Sequence, residues 1–203
     1  MLKIYKQRVD IEFIENINYF IDKYEYTDSL YFYSNNHEHK EVFNSIKEYI
    51  FNNDILDKKY LLDDLYIVIR CVKNIDNKKS FDVHFDNYKN TFLLPIKIPL
   101  IEPKGQFFIW ENTRYEVNGI LSHIFSKLFY QNFITRFLIR NNILKTFEKI
   151  SCEVGDIVHF NGFNSLHYNE DVSSERRSIL IHSRRGIKNS SIINLSERLS
   201  QIF

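Results

Sequence analysis

A series of short β-type runs, which begins after two helical stretches, most constrains the fold of this chain. The first run, LYIVIRCV at residues 65–72, is apolar and rich in β-branched residues, which is typical of a buried strand. Comparable runs follow in the segments FDVHFDNY, TFLLPIKIPLI, GQFFIWEN, CEVGDIVHFNG and RRSILIHSRR. Polar loops and Gly-containing turns lie between several of them. This order of strands predicts a mainly antiparallel β core.

Three segments outside these runs have apolar residues at helical spacing. The first runs from about Asp10 to Tyr24, with Asp10 as a candidate N-cap, and the second is KEVFNSIKEYIFNND. The third runs from about Asn118 to Phe147 and contains no Asp or Glu. Helices, strands, a helical insertion and further strands together predict an α+β fold.

The helical insertion is basic as well as apolar. Its cations are Lys127, Arg136, Arg140 and Lys145. A segment of this kind is typical of a surface that docks an anionic or acyl-bearing partner or a membrane, or that forms a dimer. We favour the alternative of a lid that packs on the β core and leaves its cations solvated.

Length, charge and cysteine content exclude several classes of protein. A chain of 203 residues with 44% hydrophobic and 26% charged residues suits one folded domain. We expect N-terminal helices in residues 1–60, the β core in 61–116 and 150–187, and the insertion or lid in 117–148. The net charge of +1 gives no electrostatic footprint for nucleic acid. Two cysteines are too few for a disulfide framework, and no signal core or membrane span is visible, so we expect a cytoplasmic protein.

The pair His84 and Asp86 is the first candidate for a metal site. Residues two apart on a strand lie on one face, so an imidazole and a carboxylate could grip one divalent ion. Taken alone, the pair is more typical of a solvent-facing strand edge. The best third ligand is His167, which follows the turns at Gly155-Asp156 and Asn161-Gly162. Two histidines and one carboxylate leave three positions open on an octahedral ion, which favours Fe(II) in oxygenases.

Such an iron site needs a second organic ligand that supplies electrons. The run RRSILIHS follows His167, and in a strand Arg176 and Ser178 share one face while Arg177 and Ile179 share the other. An arginine fork beside a hydroxyl is suited to a carboxylate. We therefore predict that Arg176, with Ser178, binds an anion, and we keep Arg177 as the alternative.

Together, the segments HFD, GDIVHFNGFNSLH and RRSILIH resemble the Fe(II)/2-oxoglutarate-dependent oxygenase superfamily. The resemblance covers about Leu65 to Arg185 and is strongest to phytanoyl-CoA hydroxylase-like and related small bacterial oxygenases. It implies a double-stranded β-helix, a jelly-roll of the cupin kind, with N-terminal helices and a helical insertion. It further implies that His84, Asp86 and His167 hold Fe(II), and that Arg176 or Arg177, with Ser178, binds the far carboxylate of 2-oxoglutarate.

The resemblance also implies an enzyme. We expect a dioxygenase that uses O₂ and 2-oxoglutarate to hydroxylate an unactivated carbon of a small-molecule or carrier-linked substrate, with succinate and CO₂ as products. Desaturation and cyclisation begin from the same hydrogen abstraction and stay open. The alternatives are a protein or nucleic-acid hydroxylase or demethylase of the same superfamily, and a non-catalytic cupin-type binding module.

Overall fold

Two antiparallel sheets form the centre of the computed structural model, which describes residues 2–57, 59–60, 64–73, 82–114, 125–126, 128–141 and 143–184. The strands are β1 Lys3–Tyr5, β2 Ser29–Tyr33, β3 Leu65–Val72, β4 Asn90–Lys97, β5 Phe107–Trp110, β6 Glu148–Ile150, β7 Ile157–Phe160, β8 Leu166–Asn169 and β9 Arg176–Ser183. The helices are α1 Ile11–Ile21, α2 Lys40–Asn52 and α3 Phe133–Arg140, with a 3₁₀ turn at His37–His39. The expected combination of helices and mainly antiparallel sheets is confirmed.

The larger sheet has the strand order β1-β7-β4-β9-β3-β2, and the smaller sheet has the order β6-β5-β8. Strand β9 lies at the centre of the larger sheet, because it pairs with β3 on one side and β4 on the other. Its ILI run and the β-branched residues of β3 are mostly buried, as expected for strands that are covered on both faces.

The two faces of the larger sheet bury different partners. On one face, α1 and α2 contribute Ile14, Ile17, Ile21, Phe43, Ile46 and Ile50 to a core that also contains Ile67, Ile69, Ile179 and Ile181 of the sheet. On the other face, Leu93, Val158 and Phe160 pack against Phe107 and Ile109 of the smaller sheet. The molecule therefore has three layers, and the space between its two sheets is lined by the opposite face of β3 and β9.

The N-terminal region differs from the prediction, which assigned residues 1–60 to helices alone. Strands β1 and β2 belong to the same region and form the two edges of the larger sheet. At three and five residues they are too short for periodicity to separate them from a loop. Asp10 does occupy the N-cap position of α1, but its side chain accepts a hydrogen bond from the Tyr49 hydroxyl of α2 instead of capping α1.

In the insertion, the described residues include α3, whereas residues 115–124, 127 and 142 lie outside them, Lys127 among these. Ile139 anchors α3 in a buried cluster with Val83, Phe85, Leu166 and Tyr168. Two of the cations are exposed, as expected, but they also form surface ion pairs, Arg136 with Asp82 at 2.8 Å and Arg140 with Asp171 at 3.2 Å. The β core also resumes at Glu148, slightly before the predicted residue 150. Among the described helices, none combines the length and apolarity needed to cross a membrane.

Candidate metal centre

The segment that carries His84 and Asp86 differs from the regular strand predicted for FDVHFDNY. Residue 81 lies outside the described residues, and residues 82–89 form only one isolated antiparallel bridge, between His84 and His167. In this bridge each residue donates its N–H to the carbonyl of the other at 3.0 Å. The expected alternation holds locally, since Val83 and Phe85 are 0% and 2% exposed while the two polar side chains point to the opposite side.

This bridge places three candidate ligands together. Asp86 Oδ1 lies 3.6 Å from His84 Nε2 and 3.6 Å from His167 Nε2, and candidate ligand atoms of all three lie within 4.8 Å of one another. Bonds from a divalent metal to imidazole nitrogen or carboxylate oxygen are about 2.0–2.2 Å, so one ion can reach all three groups after a small contraction. Two imidazoles and one carboxylate on one side of an ion form the donor set of the facial triad.

Backbone carbonyls orient both imidazoles for such a role. His84 Nδ1 lies 2.7 Å from the carbonyl of Asp82, and His167 Nδ1 lies 3.0 Å from the carbonyl of Ser165. A carbonyl only accepts, so each Nδ1 carries the proton and donates. In this tautomer the Nε2 lone pair of each ring is directed toward Asp86. A metal ion requires such a free lone pair on the coordinating nitrogen.

A second set of contacts fixes the carboxylate. Thr91 Oγ1 donates to Asp86 Oδ2 at 2.6 Å, which leaves Oδ1 turned toward the two histidines. His182 Nδ1 lies 3.2 Å from the same hydroxyl and contacts it from behind. Gly162 packs so closely that a Cβ there would lie 2.1 Å from Asp86 Oδ2. These contacts hold Asp86 with one oxygen presented to the candidate metal position.

The electrostatic environment favours the protonation states that a divalent cation needs. Burial raises the pKa of Asp86, but the neighbouring imidazole of His167, with smaller contributions from His182 and His84, brings that pKa well below its usual value. Burial lowers the pKa of His84 to about 4, and the charge of His167 acts in the same direction. At neutral pH the site therefore presents an ionised carboxylate beside a neutral His84 imidazole.

A cavity of about 30 Å³ adjoins the three groups and extends between the sheets. Its polar lining, apart from the three candidate ligands, consists of Arg70, Asn169 and Ser178. Its apolar lining consists of Leu93, Phe107, Phe160 and Leu180. A volume of this size is about that of one water molecule, so it accommodates an ion held by the three side chains but no larger ligand.

The two adjacent arginines of β9 lie on opposite faces of the larger sheet, as alternation requires. Arg177 contacts α1, where its guanidinium donates to Asp22 at 2.5 Å and to Asn18, and it also donates to Glu175. The alternative in which Arg177 binds the anion is therefore not supported. Arg176 shares its face with Ser178, which lines the cavity.

Arg176 is only 4% exposed, and its buried Nη2 atom has no hydrogen-bond partner among the described residues. Its side chain lies against Gly105, where a Cβ would be 2.5 Å from Arg176 Cδ. Burial, followed by the charge of Arg70, lowers the Arg176 pKa to about 10. A buried guanidinium with an unsatisfied N–H group is costly, so this position is suited to an anionic ligand.

Sequence reasoning did not find Thr91, Gly162 or Asn169. They lie on β4, in the turn before β8 and at the end of β8, and only the fold places these three segments beside the site. No local sequence motif identifies them. A further histidine, His159 of β7, lies away from the triad, where it contacts Asn90 and stacks on Phe92.

Comparison with known proteins gives similarity at the level of structure. No family model matches the sequence, and no curated protein matches it. HygX from Streptomyces hygroscopicus, solved with iron bound, is 8% identical over 92% of this chain and 83% of its own, with a TM-score of 0.62. HygX has also been solved with nickel and 2-oxoglutarate, and this structure has a TM-score of 0.61. A prolyl-4-hydroxylase from Pseudomonas putida is 10% identical over 91% of this chain and 93% of its own, with a TM-score of 0.51. At these identities the similarity shows a shared fold.

Proposed function

We propose that this protein is an iron(II)- and 2-oxoglutarate-dependent dioxygenase that hydroxylates an unactivated carbon of a small-molecule or carrier-linked substrate. The observation that carries the proposal is the bridge between His84 and His167, which brings both imidazoles to one oxygen of Asp86. The proposal is supported by the shared fold with HygX, a protein solved with iron and, separately, with nickel and 2-oxoglutarate.

The path of the chain supports a double-stranded β-helix. From β3 onward it passes from the larger sheet to the segment bridged to β8, back to β4, and then to β5 and β6 of the smaller sheet. Strand β7 lies in the larger sheet, β8 in the smaller sheet, and β9 in the larger sheet again. We infer that these eight segments form one jelly-roll domain. The narrower likeness to phytanoyl-CoA hydroxylase-like proteins stays a prediction from the sequence.

In this proposal His84, Asp86 and His167 hold the iron and leave the remaining positions for co-substrate and O₂. When bound, iron and 2-oxoglutarate supply the oxidising power that inserts one oxygen atom of O₂ into a C–H bond, with succinate and CO₂ as co-products. The protein's own residues set the ligand geometry, and Phe107 and Phe160 exclude water beside His167.

Arg176 and Ser178 are the proposed ligands of the far carboxylate of 2-oxoglutarate. Both lie on the cavity-facing side of β9, and the unpartnered Nη2 of Arg176 gains an acceptor when a carboxylate binds. Because 30 Å³ is smaller than 2-oxoglutarate, side chains of the lining must rearrange when it enters.

Anaerobic spectroscopy tests the proposal. Purified protein with Fe(II) should develop a weak visible metal-to-ligand band on addition of 2-oxoglutarate, and aerobic incubation should release succinate. Asp86→Ala should abolish both signals, because a carboxylate ligand is lost. Asp57→Ala, which removes an exposed carboxylate paired with Lys59, is the matched control and should leave both unchanged. Absence of the band in the unsubstituted protein, or succinate release by Asp86→Ala, would contradict the proposal.

A further inference from the structure

Arg70 is a second arginine that reaches the candidate site, from a different strand. It lies on β3 directly opposite Ser178 of β9, and paired residues of an antiparallel sheet share a face. The next residue pair on this face is Val72 with Arg176. Arg70 lines the same cavity as His84, Asp86 and His167. Two guanidinium groups from adjacent strands therefore face the space between the sheets.

On the side of Arg176, the carboxylate of Glu170 attracts the guanidinium, but the buried Nη2 atom has no hydrogen-bond partner among the described residues. Asp86 is the carboxylate among the cavity-lining residues, and its oxygens are directed to Thr91 and to the two histidines. Burial lowers the pKa of Arg176, and the charge of Arg70 lowers it further, in the direction expected for two cations that repel each other. Buried like charges are stabilised when an anion lies between them.

Two tyrosine rings of β2 lie beside the guanidinium of Arg70. Its guanidinium carbon lies 6.0 Å from the ring centroid of Tyr31 on β2, and that ring stacks on Tyr33 at 6.3 Å. An aromatic surface at this distance stabilises a guanidinium and limits its orientations. Arg70 thus extends from β3, the strand between β2 and β9, toward the cavity, where its planar fork can meet a carboxylate with two parallel N–H groups.

We propose that Arg70 is a co-substrate-binding residue, which together with Arg176 and Ser178 clamps the far carboxylate and so selects a 2-oxo acid that carries a second carboxylate. This inference rests on the proposed function, because it assigns a partner to the same co-substrate. Arg70 on β3 then determines co-substrate specificity together with Arg176 and Ser178 on β9.

Two keto acids distinguish a role of Arg70 at the far carboxylate from a role at the metal-binding end of the co-substrate. 2-Oxopentanoate has the same five-carbon chain and the same 2-oxo acid group as 2-oxoglutarate but lacks the far carboxylate. Each is titrated anaerobically into Fe(II)-loaded protein, with the visible band and calorimetry as readouts. The protein variants are Arg70→Met, Arg70→Lys and the control Arg8→Met, which removes an exposed arginine of the N-terminal region.

Arg70→Met should weaken 2-oxoglutarate binding by roughly ten- to a hundred-fold, the range expected for loss of charge-assisted hydrogen bonds, and should leave 2-oxopentanoate binding unchanged. Arg70→Lys should recover part of the affinity, since it keeps the charge but loses the fork. Arg8→Met should bind both keto acids as the unsubstituted protein does.

Two results would overturn the inference while the proposed function stands. One is unchanged 2-oxoglutarate affinity in Arg70→Met, which would assign Arg70 to the substrate or to structure. The other is equal weakening of both keto acids, which would place its effect at the metal end. If Arg70→Met fails to fold, the ratio of the two affinities in Arg70→Lys decides. No band with 2-oxoglutarate in metal-loaded unsubstituted protein would instead overturn the proposed function, and this inference with it.

Discussion

Replacing Thr91 with valine tests how the protein holds the proposed carboxylate ligand. The hydroxyl donates to Asp86 Oδ2 at 2.6 Å and lies 3.2 Å from His182 Nδ1. It has one proton, so when it donates to the carboxylate, the imidazole of His182 must donate to it. Valine keeps the branched shape but lacks the hydroxyl. Asp86 Oδ2 and the His182 imidazole therefore each lose a hydrogen-bond partner.

The expected effect follows from the type of hydrogen bond that is lost. A hydrogen bond to a charged group contributes about 1.5–3 kcal/mol, which is roughly ten- to 150-fold in an equilibrium constant. Outer partners of metal ligands typically change metal affinity by about ten- to a hundred-fold when mutated. Both routes give the same range, so we expect Thr91→Val to weaken Fe(II) binding by about one to two orders of magnitude.

Anaerobic calorimetry with Fe(II), or with Mn(II) as a redox-stable substitute, measures this affinity directly. Thr91→Ser keeps the hydroxyl and serves as the control, with an affinity close to that of the unsubstituted protein. Equal affinities for Thr91→Val and Thr91→Ser would refute the reasoning, since the hydroxyl would then have no influence on the proposed ligand. Circular dichroism of each variant establishes that the fold is retained.

Three further substitutions test other contacts. Gly162→Ala would place a methyl group 2.1 Å from the present position of Asp86 Oδ2, so metal affinity should fall in the same calorimetric assay; unchanged affinity would show that the carboxylate is not confined there. Burial lowers the pKa of His159 to about 4, so the unfolded chain binds the extra proton between about pH 6.5 and 4, and the free energy of unfolding falls as the pH drops through this window. Urea denaturation at stepped pH should show a shallower fall for His159→Gln, and an equal fall would contradict this. Ile139→Ala should lower stability by about 2–5 kcal/mol, as measured by urea denaturation, because this residue is 3% exposed, whereas Ile134→Ala, at 65% exposed, should have little effect; equal losses would contradict the packing of α3.

Strand alternation explains which parts of the site could be predicted from the sequence. It assigned His84 and Asp86 to one face and separated Arg176 from Arg177, and the structure shows both arrangements. These assignments depend only on neighbours in the chain. The regular strand predicted for residues 81–88 was wrong over the described residues from 82 onward, because a single bridge to His167 suffices to align the segment when its apolar residues are buried.

Contacts between distant segments explain most of what the sequence did not show. The acids that pair with Arg136 and Arg140 are separated from them by 54 and 31 residues, so a local run without Asp or Glu could not show that these exposed cations form ion pairs. The same applies to Arg70, whose proximity to Ser178 depends on the register between β3 and β9. Charge patterns identify the composition of a surface, but the fold decides which charges are paired.

The magnitudes of these contacts indicate what orients the proposed ligands. The ion pair between Arg136 and Asp82 is half exposed, and such pairs contribute about 0–1 kcal/mol. Full burial of a side chain such as Ile139 contributes about 1.5–3 kcal/mol. Ile139 packs in one cluster with Val83 and Phe85, which flank His84 and alternate with it along the chain. Because one face of this segment is fixed by apolar packing beneath α3, the opposite face must present its imidazole and carboxylate to the cavity. Hydrophobic burial, more than the arginines of α3, therefore sets the direction of the candidate metal ligands.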